Sequence, residues 1–220
     1  MGVNIAIDGP AGAGKSTIAR LVARKLNFDY IDTGAMYRTM GLYLDRNQIS
    51  FSNEAAVKTA CEQAEIGVTY ENGEQQMWLD GENVSDQIRN EKAAGLASAC
   101  GKLMPVREKL VDFQQKLALS RNIVMDGRDI CTVVLPRADV KVYLTASVEE
   151  RAKRRFLEYQ KKGMTCTFEE VKQEVEERDY NDMHRAISPL CRAEDAVLVD
   201  TSDMSIEEAA EAIMKLLPEK

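Results

Sequence analysis

The chain has 220 residues, 45% hydrophobic and 30% charged, enough for one α/β domain with insertions or for two small domains. A net charge of −7 argues against general nucleic-acid binding through a basic surface. No apolar run reaches the length of a membrane span, and no signal peptide is expected at the N-terminus. The five cysteines, Cys61, Cys100, Cys131, Cys166 and Cys191, are odd in number and far apart, with no C-x-x-C pair, which fits a reduced cytoplasmic protein and excludes a zinc site or disulfide framework.

The first element is a buried strand, Val3 to Ile7. Gly9-Pro10-Ala11-Gly12-Ala13-Gly14-Lys15-Ser16 follows, and Thr17 to Ala23 has helical periodicity. This is G-x-x-x-x-G-K-[ST] in its required strand–loop–helix context. Its glycines let successive N–H groups turn inward on phosphates, and the helix N-terminus adds the positive end of its dipole. Lys15 is placed to reach the β- and γ-phosphates of a nucleotide, and the Ser16 hydroxyl to ligate Mg²⁺.

Further core strands are expected at Phe28 to Ile31, Asn122 to Met125, Val140 to Leu144 and Ala196 to Val199, with helices between them. That alternation predicts a parallel five-stranded sheet covered on both faces. Capping boxes at Ser147, Thr167 and Ser205 mark three helix starts. Ile66 to Gly81 breaks the rhythm: it alternates and carries an Asn72-Gly73 turn, a hairpin signal. Residues 35 to 118 therefore read as an insertion of helices plus a small antiparallel sheet, and residues 1 to 34 with 119 to 220 as the core. Trp78, the single tryptophan, is expected to pack in the small sheet. His184, the single histidine, has no nucleophile beside it and is read as structural or exposed.

Several polar groups fall at strand ends. Asp32 and Thr33 close the second strand, with Arg38 one turn into the next helix, where an arginine can reach back to an anion. Asp126-Gly127-Arg128-Asp129 closes the third, and Asp126 is placed to help hold Mg²⁺. Arg151, Arg154 and Arg155 share one helix face, inside a stretch that is basic in an acidic chain. With Lys161-Lys162-Gly163 as a hinge, residues 151 to about 170 suggest a cationic lid over a triphosphate. Arg178, Asp182 and Arg185 share another face and read either as a salt-bridge ladder or as a second anion site with a carboxylate for a sugar hydroxyl.

Together these motifs resemble the bacterial cytidylate kinases, phosphate-loop nucleoside monophosphate kinases, from the first strand to the last helix. The resemblance implies a phosphate-loop kinase core with a helical lid and an inserted monophosphate-binding region. It implies that residues Gly9 to Thr17, Arg151, Arg154 and Arg155 bind MgATP, and that Arg38, Arg128 and Arg185 hold the acceptor's phosphate. Arg178 and Asp182 then lie near the ribose. Ser98, Arg107 and Asp129 match positions that contact cytosine; spacing alone reads Ala97 to Arg107 only as helix, break, helix. Thr33 stands where many members carry Ser. Asn181 replaces an arginine found in some.

The implied reaction is γ-phosphoryl transfer from MgATP to CMP or dCMP, giving ADP and the diphosphate. The partners are then small molecules only, with no membrane or nucleic acid, and a monomer is expected. The acceptor oxygen is already anionic, so catalysis would be alignment plus charge neutralisation by Lys15, Arg128, Arg154 and Arg185. The rival readings are a phosphate-loop kinase for another acceptor, such as shikimate, and a GTP-dependent switch or regulatory ATP binder. Neither N-K-x-D nor T-K-x-D, the guanine-reading motifs, occurs in the chain.

Overall fold

The computed structural model describes residues 2–119 and 121–218. A five-stranded sheet has the order β2-β6-β1-β7-β8, and a three-stranded sheet the order β3-β4-β5. In the large sheet β1 (Asn4–Asp8) is central. It pairs in parallel with β6 (Ile123–Gly127) and β7 (Val140–Thr145), and β7 pairs in parallel with β8 (Val197–Asp200). Each expected strand is present, displaced by no more than two residues at either end.

Burial explains the strand sequences. Ile5, Ala6 and Ile7 in β1, and Ile123, Val124 and Met125 in β6, have no exposed surface, as continuous apolar runs inside a covered parallel sheet require. β8 lies at the sheet edge, and its Val197 and Leu198 are exposed.

Internal contacts divide the chain into two compact units. One comprises Gly2 with Asp29–Asn122; the other comprises Val3–Phe28 with Ile123 onward. The division falls at 28/29 and 122/123, whereas the sequence reading drew its boundaries at 34/35 and 118/119.

In the second unit α1 (Lys15–Leu26) buries Ile18, Ala19, Val22 and Ala23 and ends at Asn27, whose left-handed φ of 56° closes the helix. A π-helical turn, Ile130–Val134, follows β6. Helix α6 (Val148–Lys161) turns through Gly163, at φ 72°, into α7 (Phe168–His184), and an edge-on contact of Phe156 with Phe168 joins the two. α8 (Ile206–Met214) closes the chain. Full capping boxes form at Thr167 and Ser205. At Ser147 only half forms: Ser147 Oγ accepts from Glu150 N, but the Glu150 carboxylate turns to Lys153 at 3.8 Å instead of reaching back to its cap.

The first unit begins with β2 (Asp29–Asp32) and holds α2 (Thr33–Arg46), α3 (Glu54–Gln63), α4 (Glu91–Cys100) and α5 (Met104–Ala118). α2 and α4 pack so closely that a Cβ on Gly41 would lie 2.7 Å from Leu96 Cβ. The expected hairpin is β3 (Ile66–Glu71) with β4 (Glu74–Leu79), joined through Asn72 and Gly73 at φ 53° and 78°, both positive as a type I′ turn demands. The sequence reading did not anticipate the short third strand, β5 (Glu82–Asn83), which follows a second positive-φ pair at Asp80 and Gly81. Trp78 lies in the hairpin as expected, its Nε1 donating to Thr69 Oγ1 at 2.8 Å. His184 is exposed, stacked on Tyr180.

Candidate active site

The phosphate loop leaves β1 at Gly9, where a Cβ would lie 1.9 Å from the Leu144 carbonyl oxygen, so only glycine fits. Gly12 and Gly14 also have positive φ, 75° and 87°. Gly14 is the N-cap of α1 and offers no side chain, so no cap competes for the first N–H groups of that helix. Lys15 Nζ donates to Pro10 O at 2.7 Å, folding its side chain along the loop. Burial, then the nearby Arg128 charge, pulls the Lys15 ammonium down to about 7. Such a group gains most from an added anion.

Ser16 Oγ donates to Asp126 Oδ2 at 2.9 Å, bringing the expected hydroxyl and carboxylate together at the ends of the loop and β6. Two hard oxygen donors side by side suit Mg²⁺, which takes one or two protein oxygens and fills the rest of its shell with phosphate and water. The residues present therefore fit the ion that the phosphate-loop motif implies.

Two of the expected anion-binding arginines of this unit are placed by carboxylates. Arg128 Nε donates to Asp182 Oδ2 at 2.7 Å, joining the end of β6 to α7. Arg185 lies 3.6 Å from Asp129 and donates through Nε to Ser188 O. Burial pulls the Asp182 carboxyl up, but Arg128, Arg178 and Arg185 outweigh it and hold it below its ordinary value. Arg178 is lowered, first by burial and then by Arg128, and its buried Nε has no hydrogen-bond partner. A guanidinium held so, among like charges, is suited to an anionic or hydroxyl ligand.

The basic stripe of α6 divides its labour. Arg151 is buried, paired with Asp179 at 2.6 Å, and donates to Ala146 O and to Ala11 O in the phosphate loop. Arg154 donates to Thr201 O at 2.7 Å and to Ala13 O at 3.4 Å. Arg155 pairs with Glu174 at 2.6 Å beneath the ring of Tyr159. Two of the three thus grip the loop's own carbonyls, leaving the loop N–H groups to turn the other way.

Two residues of this unit escaped the sequence reading. Buried Asp8, the last residue of β1, accepts from Ile130 N at 2.8 Å and Cys131 N at 2.7 Å and so fixes the turn carrying Arg128 and Asp129. Burial pushes its carboxyl up to about 6 against those two N–H bonds. Its signal was an acid abutting Gly9. Thr201, just past β8, donates to Thr145 O and Ala13 O; no motif marked it.

In the first unit Asp32 caps α2, accepting from Ala35 N at 2.9 Å, and its second oxygen holds Arg38 at 2.9 Å. Thr33 is buried at the first helical position. Ser98 is half-buried on α4, and Arg107 is buried on α5, where its Nη1 donates to Tyr37 Oη at 3.2 Å. Cys100 and Gly101 end α4, and Pro105 opens α5, producing the expected break. The five cysteines are free thiols, and among the described residues no helix is long and apolar enough to cross a membrane.

A strand–glycine loop–helix with a buried lysine, a Ser–Asp pair at the strand ends and paired arginines opposite defines the phosphate-loop phosphotransferases. The chain belongs to the cytidylate kinase family, whose model matches residues 5–219. It is 46% identical over 214 residues to the cytidylate kinase of Caldicellulosiruptor bescii, covering 97% of this chain and 95% of that one. It is 45% identical over 218 residues to that of Enterococcus faecalis, covering 99% and 96%. A solved structure of an uncharacterized protein from Eubacterium ventriosum shares the fold alone, with a TM-score of 0.57 and 10% identity over 99% of both chains.

Proposed function

We propose that the chain transfers the γ-phosphoryl group of ATP to CMP or dCMP, giving ADP and CDP or dCDP. The observation that carries this reading is the uncapped start of α1: glycine backbone N–H groups, Lys15 folded along them, and the Ser16–Asp126 pair beside them. Backbone N–H groups left uncapped at a helix N-terminus suit the oxygens of a triphosphate.

In this reading Gly9 to Thr17 bind the donor, with Arg151 and Arg154 holding the loop in shape and Arg155 standing beside them on the lid helix. Mg²⁺, held by Ser16 and by Asp126 through water, would neutralise phosphate charge. Lys15 hydrogen-bonds the transferring group, and binding restores the charge that burial has weakened. Arg128, Arg154 and Arg185 add positive charge where negative charge accumulates. The acceptor phosphate is its own nucleophile, so no residue has to remove a proton. Arg178 and Asp182 offer a donor and an acceptor to ribose hydroxyls. In the first unit Thr33, Arg38, Ser98 and Arg107 are acceptor ligands.

Asp129 is the candidate base reader. A carboxylate accepts from the exocyclic amine of cytosine and repels the carbonyl that uracil presents there. The test is a coupled ADP-release assay with MgATP and CMP, dCMP, UMP, AMP, GMP, dTMP or shikimate as separate acceptors. Fast turnover with CMP and dCMP, slow with UMP and absent otherwise, is expected. Activity on a different acceptor would discard the roles of Ser98, Arg107 and Asp129, and acceptor-independent behaviour would discard the kinase reading.

A further inference from the structure

The inserted three-stranded sheet contains none of the residues assigned above, yet two residues directly opposite each other in its hairpin, Tyr70 and Gln75, both reach β2. Tyr70 Oη donates to Tyr30 O at 3.1 Å. Gln75 makes a two-point contact with the backbone of Asp32: its Oε1 accepts from Asp32 N at 2.8 Å, and its Nε2 donates to Asp32 O at 3.2 Å. The amide thus does for Asp32 what a neighbouring strand would do, satisfying both backbone groups at once.

Asp32 is the residue on which the β2–α2 junction turns. Its Oδ1 caps the helix at Ala35 N, and its Oδ2 holds the Arg38 guanidinium. A Cβ on Gly34 would lie 3.1 Å from both Arg38 Nη1 and Asp32 Oδ1, so the junction is closely filled. A line of direct bonds therefore runs from the hairpin amide to the Asp32 backbone, then the Asp32 carboxylate, then Arg38.

We propose that Gln75 is a positioning residue for acceptor binding: the small sheet, through this one amide, sets the junction that presents Arg38 to the acceptor's phosphate. The proposal rests on the reading of Arg38 as a phosphate ligand. Tyr70 supplies the internal control, because it ties the same sheet to the same strand two residues upstream without touching Asp32. Burial pushes its phenol up to about 12, so it remains a donor at neutral pH.

The experiment compares Gln75→Leu, Gln75→Glu, Tyr70→Phe, Arg38→Ala and the double variant Gln75→Leu/Arg38→Ala. KM is measured for CMP and for ATP, CMP binding by calorimetry, and thermal midpoints alongside. Gln75→Leu is expected to raise KM and Kd for CMP about tenfold with KM for ATP unchanged, and to add less than about twofold once Arg38 is gone, the signature of two residues acting as one unit. Gln75→Glu keeps the acceptor for Asp32 N but sets a carboxylate oxygen against Asp32 O, and is expected to raise KM for CMP at least as much as Gln75→Leu. Should Gln75→Leu not fold, this near-isosteric variant carries the test. Tyr70→Phe is expected to lower the thermal midpoint and leave KM for CMP in place. An unmoved KM for CMP in both Gln75 variants, an equal rise for ATP, the same rise in Tyr70→Phe, or full additivity with a damaging Arg38→Ala would each overturn the proposal. An Arg38→Ala variant that binds CMP normally would instead remove the reading beneath it.

Discussion

Two helices of this molecule begin directly after a strand of the large sheet, and they begin in opposite ways. α1 starts at Gly14 with no side-chain cap, and the cation of its first turn, Lys15, folds onto a loop carbonyl. α2 starts at Asp32, which caps it, and the cation of its second turn, Arg38, folds onto that cap. An uncapped N-terminus leaves backbone N–H groups and the dipole for a ligand's oxygens; a capped one has already accepted an anion, its own. Under the proposed function the first region would bind phosphate through backbone, and the second through side chains. Backbone recognition needs glycines at set spacing and so leaves a motif. Side-chain recognition needs a supporting shell, and that shell can come from anywhere in the chain.

The sharpest attempt to break this contrast is Lys15→Ala. If the α1 start is the donor-phosphate site, turnover should fall about a thousandfold, as when a buried oxyanion donor is removed, with the circular-dichroism melt nearly unchanged. Near-normal turnover would end the assignment.

Asp8 tests how the backbone side is anchored. Its folded carboxyl titrates at about 6 against an ordinary 3.8, so the folded state binds the proton more tightly. Its contribution is then most favourable below pH 3.8 and is lost as pH rises through 6. Against Asp8→Asn, which does not titrate, wild type should lose about 3 kcal/mol of relative stability across that interval. Urea midpoints measured from about pH 4 to pH 7.5 check this; a constant difference between the two proteins would refute it.

Asp129→Ala should leave the phosphate chemistry in place but weaken CMP and narrow the CMP-to-UMP preference about tenfold in kcat/KM. UMP rejected as strongly as before would move base reading elsewhere, to the side-chain region of Ser98 and Arg107. The smallest effect on stability is expected at the capped helix. Asp32→Ala removes a cap worth about 1 kcal/mol, measurable as a urea shift, whereas Gly14 has no side-chain cap to lose.

Much of the fold was readable because local rules were obeyed. Strands buried on both faces wrote continuous apolar runs, and the Asn72-Gly73 turn announced the hairpin. β5, only two residues long and wholly exposed, left no periodicity to detect. At the site, Lys15, Ser16 and Asp126 were legible from spacing and strand-end position, and the pairs Arg128–Asp182 and Arg185–Asp129 joined residues singled out for separate reasons. Ser98 and Arg107 carried no signal of their own beyond resemblance to a family. Asp8, Thr201 and Gln75 were missed because their partners are backbone groups distant in sequence.

The sequence by itself determined the elements other than β5, and the phosphate loop, because glycine positions, apolar runs and helix caps act over a few residues; the motifs taken together pointed to the family. Only the tertiary structure decided which carboxylate holds which arginine, that two arginines of α6 grip the loop's carbonyls, and that a hairpin glutamine holds Asp32. Those bonds join residues 43 or 54 positions apart at Asp32–Gln75 and Arg128–Asp182, and as many as 141 at Ala13–Arg154, separations that no local pattern encodes and only chain packing closes.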